Sequence, residues 1–177
     1  MASIHFIPAL ETDRLILRAM GLDDFADYSA ALMSTRSWAM GGPYDLKGAW
    51  GMFCHDVAGW TLHGLGALMI TRRDTGQTVG QVQLNAGPLY PENELGWLLY
   101  DGAEGNGFAT EAAARLRDWA FGERGLATLV SYVDPRNVAS ARVAERLGGV
   151  PDPDAARMAG SLDDIVFRHV PGRGGRA

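Results

Sequence analysis

Between Gly102 and Glu111 the chain reads Gly-Ala-Glu-Gly-Asn-Gly-Phe-Ala-Thr-Glu, directly ahead of a strong helical pattern. Small residues let the main chain approach a ligand. The first N–H groups of a helix have no partner within it and point outward at the positive end of its dipole. Gly105, Asn106, Gly107, Phe108, Ala109 and Thr110 therefore make a candidate anion cradle suited to a pyrophosphate. The segment is not a dinucleotide fingerprint, because Thr110 stands where the third glycine of G-x-G-x-x-G belongs, and no P-loop Gly-Lys-Ser/Thr occurs. The competing reading is a glycine-rich turn that merely starts a helix.

Other residues with chemical potential are fewer. Glu92 and Glu94 precede or begin a strand and share a face by alternation. Asn137 is placed to cap a helix, and Ser140 lies three, four and seven residues before Val143, Ala144 and Leu147, on their inward face. A hydroxyl there needs a partner, either a ligand or the preceding turn. His5, His55, His63 and His169 show no metal-ligand spacing, so no metal is expected. Cys54 stands alone, which excludes an intrachain disulfide and a thiolate zinc site, and reads as a buried thiol.

The elements that must carry these groups follow from periodicity. Thr12 to Met20 alternates as a strand, and a helix follows with Leu22, Phe25, Tyr28 and Leu32 at helical spacing. Residues 34–48 form a Gly/Pro/Ser-rich loop flanked by Trp38 and Trp50, suited to a substrate wall or to packing. A second helix is expected from Asp45 to His63 with Leu46, Trp50, Phe53, Val57 and Trp60 on one stripe. Runs at 65–72, 78–86 and 94–100 read as an antiparallel meander. Ala109, Ala112, Ala113, Leu116, Trp119 and Ala120 then mark a helix ending at Gly122 or Gly125. A strand at 129–133, a helix from about Asn137 to Leu147, and a strand around 164–170 complete the order. The pattern predicts an α+β, mixed α/β domain over residues 1–170, with 171–177 a frayed tail.

Composition is that of a folded globular chain: 177 residues, 47% apolar and 21% charged. Glycine, at 23 residues, is about twice its usual ~7% share, which fits many turns and close approaches. A net charge of −5 argues against nucleic acid and tolerates cationic substrates. No stretch is long and apolar enough to span a bilayer and no signal peptide is visible, so the expectation is a cytoplasmic protein without a membrane partner.

In order along the chain, Glu11-Thr12-Asp13-Arg14-Leu15-Ile16-Leu17-Arg18, Glu94-Leu95-Gly96-Trp97-Leu98-Leu99, the cradle through Ala113, and Asn137-Val138-Ala139-Ser140-Ala141-Arg142-Val143-Ala144-Glu145-Arg146-Leu147-Gly148-Gly149 resemble the GCN5-related N-acetyltransferase (GNAT) superfamily. The opening segment is similar to its ribosomal-protein N-terminal acetyltransferase-like branch. The resemblance implies a mostly antiparallel mixed sheet of about seven strands, flanked by helices and splayed between the fourth and fifth, where the pantetheine arm of acetyl-CoA lies like a further strand. The family's Q/R-x-x-G-x-G/A signature falls on Glu104, Gly107 and Ala109, with Glu104 replacing the usual Gln or Arg and the lead-in from Tyr100 to Ala103 about one residue longer.

By the same resemblance, main-chain N–H of Trp97, Leu98 or Leu99 would polarise the thioester carbonyl, and Asn137 and Ser140 would contact pantetheine. Glu94 would act as base directly or through water. With no Tyr after Tyr132, Ser140 is the candidate acid for the leaving thiolate. Trp38, Tyr44 and Trp50 are candidates for the acceptor wall. The implied activity is direct acetyl transfer to a primary amine, by a monomer or homodimer, without metal. The alternatives are a catalytically silent acyl-CoA-binding or sensing module and, third, a nucleotide-binding protein.

Overall fold

The computed structural model describes residues 6–161 and 163–172. Among them, eight strands form one open sheet: β1 (Leu10–Glu11), β2 (Leu15–Ala19), β3 (Ala67–Arg72), β4 (Thr78–Asn85), β5 (Glu94–Leu99), β6 (Leu129–Val133), β7 (Val150–Pro151) and β8 (Ile165–His169). Their spatial order is β1-β2-β3-β4-β5-β6-β8-β7. Four helices cover it: α1 (Phe25–Met33), α2 (Leu46–His63), α3 (Phe108–Gly122) and α4 (Val138–Arg146). Six of these strands lie where the periodicity put them, and β1 and β7, two residues each, are too short to leave a periodic trace. The first strand is likewise shorter than Thr12–Met20, since Thr12 turns back to accept the Leu15 N–H. Of the expected tail, 173–177 lie outside the described residues.

Every neighbouring pair is antiparallel except β5 and β6, which run parallel and meet at a single registered pair, Glu94 with Val130. Beyond that pair the strands separate. This is the split expected between the fourth and fifth strands of the sequence pattern, and it leaves one edge of β5 without a neighbouring strand.

The two faces of the sheet are unlike. Ala112, Ala113, Leu116, Trp119 and Ala120 of α3 pack on Leu15, Leu17, Ile70, Val82, Leu84, Leu95 and Leu129, the small alanines letting the helix sit close while Leu116 and Trp119 fill the space. Burying each such leucine contributes about 1.5–3 kcal/mol. On the opposite face α1 and α2 meet through Tyr28, Leu32, Ala49 and Phe53, with Leu98 beneath. Alternation along β4 sends Val82 and Leu84 to the α3 side and Gln81, Gln83 and Asn85 to the other, and all three amides are buried.

Helix α2 is rotated from the expected stripe. Ala49, Phe53, Asp56 and Trp60 are buried, while Leu46, Trp50 and Val57 are exposed. Spacing of three and four admits both stripes, which share Phe53 and Trp60; what distinguishes the observed one is Asp56, whose carboxylate accepts the buried Tyr28 hydroxyl at 2.8 Å. Cys54, one position beyond Phe53 and about 100° around the helix, is exposed rather than buried. Within the 34–48 loop, Thr35–Met40 form a 3₁₀ helix, opened by Ser34 accepting the Arg36 N–H. No helix among the described residues is long and apolar enough to cross a membrane.

Candidate active site

Gly105 and Gly107 both hold φ of +78°, a left-handed conformation that side-chain-bearing residues seldom adopt, and Gly107 is the N-cap of α3. The loop is braced from within: the Asn106 amide donates to the Ala103 and Glu104 carbonyls at 3.2 and 3.0 Å. From behind, the opening Thr-Asp-Arg-Leu segment clamps it. Arg14 donates to the Asn106 carbonyl (3.0 Å) and to Glu111 in the first turn of α3 (2.7 Å), while the Thr12 hydroxyl donates to the same carboxylate at 2.5 Å. The side chain of Asn106 is spent on the loop itself, and the first-turn N–H groups of α3 have no partner within the helix.

The cradle forms one wall of a cleft of about 730 Å³ that runs along the open edge of β5 to α4. Its lining includes Trp97, Leu98, Leu99, Gly105, Gly107, Phe108, Ala109 and Thr110, together with Asn137 and Ser140. Of its three arginines, Arg36, Arg142 and Arg146, the last two make it basic, since Arg36 is offset by carboxylates. Arg36 donates to the Leu99 carbonyl (3.3 Å) and pairs with Asp101 and Glu104, so the glutamate in the signature position carries its own counterion.

Peptide groups of a strand point alternately to its two neighbours. Tyr100 N–H donates to Val79 on the β4 side, which puts the Leu98 N–H on that side as well. The Leu95 and Leu99 carbonyls instead receive Ser131 and Arg36 across the gap. Of the three main-chain donors expected at the thioester, the geometry therefore leaves Trp97 and Leu99 facing the cleft, and Leu98 lines it by other atoms.

A second cavity, of about 260 Å³, opens on the other side of Asn137 and Ser140. Its polar lining includes Gln83, Asn85, Tyr90, Glu94, Tyr132, Asp134 and Asp164, and no Lys, Arg or His among the described residues. Burial pushes the Glu94 carboxyl up to about 7, against the opposing effect of the hydrogen bond it accepts from the Asn85 amide at 2.7 Å. Glu92, the other carboxylate of the pair, is held by Arg168 through two bonds of 2.7 and 2.9 Å and kept below its usual range. The structure thus separates two residues that sequence alternation placed together: Glu92 is bound in an ion pair and Glu94 borders the cavity.

Asn137 and Ser140 line both cavities. The Asn137 side chain caps α4 by accepting the Ser140 N–H at 3.1 Å. Among the described residues the Ser140 hydroxyl makes no hydrogen bond to the preceding turn. Ala39 and Met40 of the 3₁₀ helix and Trp97 also belong to both linings, which fixes where the cavities join.

The aromatic wall is not where the loop composition put it. Trp38 borders the basic cleft with Arg136 over its ring at 4.9 Å. Tyr44 bonds back to the Met40 carbonyl, and Trp50 packs on Phe25 and Phe53, so neither lines either cavity. Reasoning from sequence missed Arg36, Arg142 and Arg146 on the basic side and Gln83, Asn85 and Asp164 on the acidic side. The alternation Gln81-Val82-Gln83-Leu84-Asn85 was the available signal, since amides in the middle of an apolar strand need a reason.

Residues 14–150 match the family model described as an acetyltransferase (GNAT) domain. An acetyltransferase from Agrobacterium tumefaciens str. C58 has a solved structure with a TM-score of 0.89 and 54% identity, the match covering 93% of this chain and 95% of that one. RimL, a ribosomal L7/L12 alpha-N-protein acetyltransferase solved in complex with coenzyme A, shares the fold at a TM-score of 0.71 and 16% identity, with 92% of this chain and 98% of that chain covered. The uncharacterized protein YkkB of Bacillus subtilis (strain 168) is 34% identical over 90 residues, 49% of this chain; the match spans about half, 51%, of that relative's length.

Proposed function

The chain belongs to the GNAT acetyltransferase family, and from that membership we propose that it transfers the acetyl group of acetyl-CoA directly to a primary amine. The observation that carries the reading is the opposite polarity of two cavities that meet at Asn137 and Ser140. The basic cleft suits an anionic, phosphate-bearing donor and the acidic one suits an amine. The residues present fit the donor: the cradle offers helix N-terminal N–H groups, Arg142 and Arg146 add cationic charge, and the free edge of β5 offers main-chain groups to an extended amide chain.

Acetyl-CoA, when bound, supplies an activated thioester at the junction. The chain's own residues do the rest. Glu94 takes a proton from the incoming ammonium, directly or through water; a carboxyl near 7 is suited to that task at neutral pH. The Trp97 and Leu99 N–H groups face the cleft and polarise the acyl oxygen. Ser140 delivers a proton to the departing sulfur, its hydroxyl being free of the preceding turn. No covalent enzyme adduct is required.

The test measures acetyl-CoA affinity calorimetrically and, separately, release of free coenzyme A with a panel of primary amines. Binding with amine-dependent release supports the reading. Binding without release for any amine would make the chain a silent acyl-CoA-binding module, and failure to bind acetyl-CoA while ATP binds would favour a nucleotide site.

A further inference from the structure

Resting on the reading that the acidic cavity receives the acceptor, we propose that the acceptor is a small aliphatic diamine or polyamine, whose second cationic group sits against Asp164 while the reacting amine sits against Glu94.

The charge balance of the lining carries this. Three carboxylates, Glu94, Asp134 and Asp164, border the cavity, and no Lys or Arg among the described residues does. Asp134 has its own cation, since Arg136 donates to it at 2.6 and 2.9 Å. Glu94 and Asp164 have none bonded to their carboxylates among the described residues: Glu94 accepts from two neutral donors, the Asn85 amide and the backbone of Tyr132. The neighbouring arginines are committed elsewhere. Arg157 donates to the backbone carbonyl of Asp164 rather than to its carboxylate, and Arg168 is divided between Glu92 and Asp152. Burial and the nearby Asp134 raise the Asp164 carboxyl against the smaller opposing field of Arg157, and Asp164 in turn raises Glu94, so a cation that enters relieves both.

The pocket also presents built polar groups. Asn85, only 4% exposed, uses its amide N–H on Glu94, and its carbonyl oxygen receives no donor from the described residues. The buried Tyr132 hydroxyl, on a residue that lines the same cavity, has no partner among the described residues. Both oxygens can accept from an ammonium. A side chain at Gly96 would approach to 3.0 Å of the Gln83 amide in this wall, so the glycine keeps the cavity floor open. An α- or ω-amino acid would bring a carboxylate into a lining that offers no cation, and a simple monoamine would leave Asp164 unneutralised. At about 260 Å³ the space admits an aliphatic chain with an amine at each end.

The test is steady-state kinetics on the full chain with acetyl-CoA and three acceptors of matched length: n-butylamine, 1,4-diaminobutane and 4-aminobutyrate. We expect kcat/KM for the diamine to exceed that for the monoamine by about tenfold or more, with the amino acid lowest. Asp164→Asn should cut the diamine-to-monoamine ratio about tenfold. That ratio is insensitive to a loss of active protein, so partial unfolding does not mimic the result. A monoamine or amino acid used as well as the diamine overturns the proposal and leaves the acetyltransferase reading standing. Release of coenzyme A with none of the three, despite acetyl-CoA binding, overturns the diamine proposal, and the wider amine panel then decides the acetyltransferase reading.

Discussion

Glu94→Gln isolates the proposed base, because the substitution keeps the shape of the side chain and its contact with Asn85 while removing the ionisation. Burial sets the carboxyl near 7. It is then about 10% ionised at pH 6 and about 90% at pH 8. A general base contributes on the order of 10²-fold or more. The ratio of wild-type to Glu94→Gln kcat/KM should therefore be about 10² at pH 8 and about tenfold smaller at pH 6, with the wild-type acid limb bending near 7. Stability gives an independent reading. The folded-state value lies above the ordinary 4.5, so the protonated form is favoured by folding, and stability present below about 4.5 is lost as pH rises through about 7. Glu94→Gln lacks that loss and should melt higher than wild type at pH 8 and close to it at pH 5. The assay is coenzyme A release across pH 5.5–9 beside thermal melts at the same values. A wild-type-to-variant ratio that does not change with pH would refute the base assignment, whatever the absolute rates.

Gly107→Ala and Gly107→Val should weaken acetyl-CoA binding steeply, Val more than Ala; unliganded stability should fall by about 1–2 kcal/mol from the φ of +78°, since a new Cβ meets only the Arg14 guanidinium at 3.4 Å. Normal affinity with a lowered melting temperature would reduce the loop to a turn. Arg142→Gln combined with Arg146→Gln should lower affinity for coenzyme A but not for S-acetyl-pantetheine, and flatten the salt dependence; equal losses for both ligands would contradict a phosphate role. Tyr28→Phe removes the 2.8 Å bond to buried Asp56, and chemical denaturation should record a cost of about 1–3 kcal/mol. Burial holds the Asp56 carboxyl up to about 6, so stability is lost as pH rises from about 3.8 through about 6; Asp56→Asn should gain on wild type across that interval, and a pH-independent difference would be inconsistent with the ionisation.

Much of this protein was legible in one dimension because its signals are local. The helical repeat of α3 and the strand at 129–133 depend on neighbours a few residues away, as do the glycine turn that opens α3 and the Asn137 cap, and these fall where the residue types put them. The sequence also carried the family, through motifs whose order along the chain needs no folding to be seen. What it could not carry was pairing between distant segments. Glu92 and Glu94 are equivalent by alternation until Arg168, 76 residues beyond Glu92, claims one of them. Periodicity puts Leu46, Trp50 and Val57 inward and reads Cys54 as buried, but spacing of three and four fits a second stripe equally, and the buried bond from Tyr28 to Asp56, 28 residues away, belongs to that one. Thr12 and Arg14 acquire their purpose only when Glu111 is brought to them across 99 and 97 residues of chain. Charge and burial at a site are sums over such encounters. The acidic and basic cavities on either side of Asn137 and Ser140 are accordingly a property of the tertiary structure, assembled from single residues whose local contexts are unremarkable.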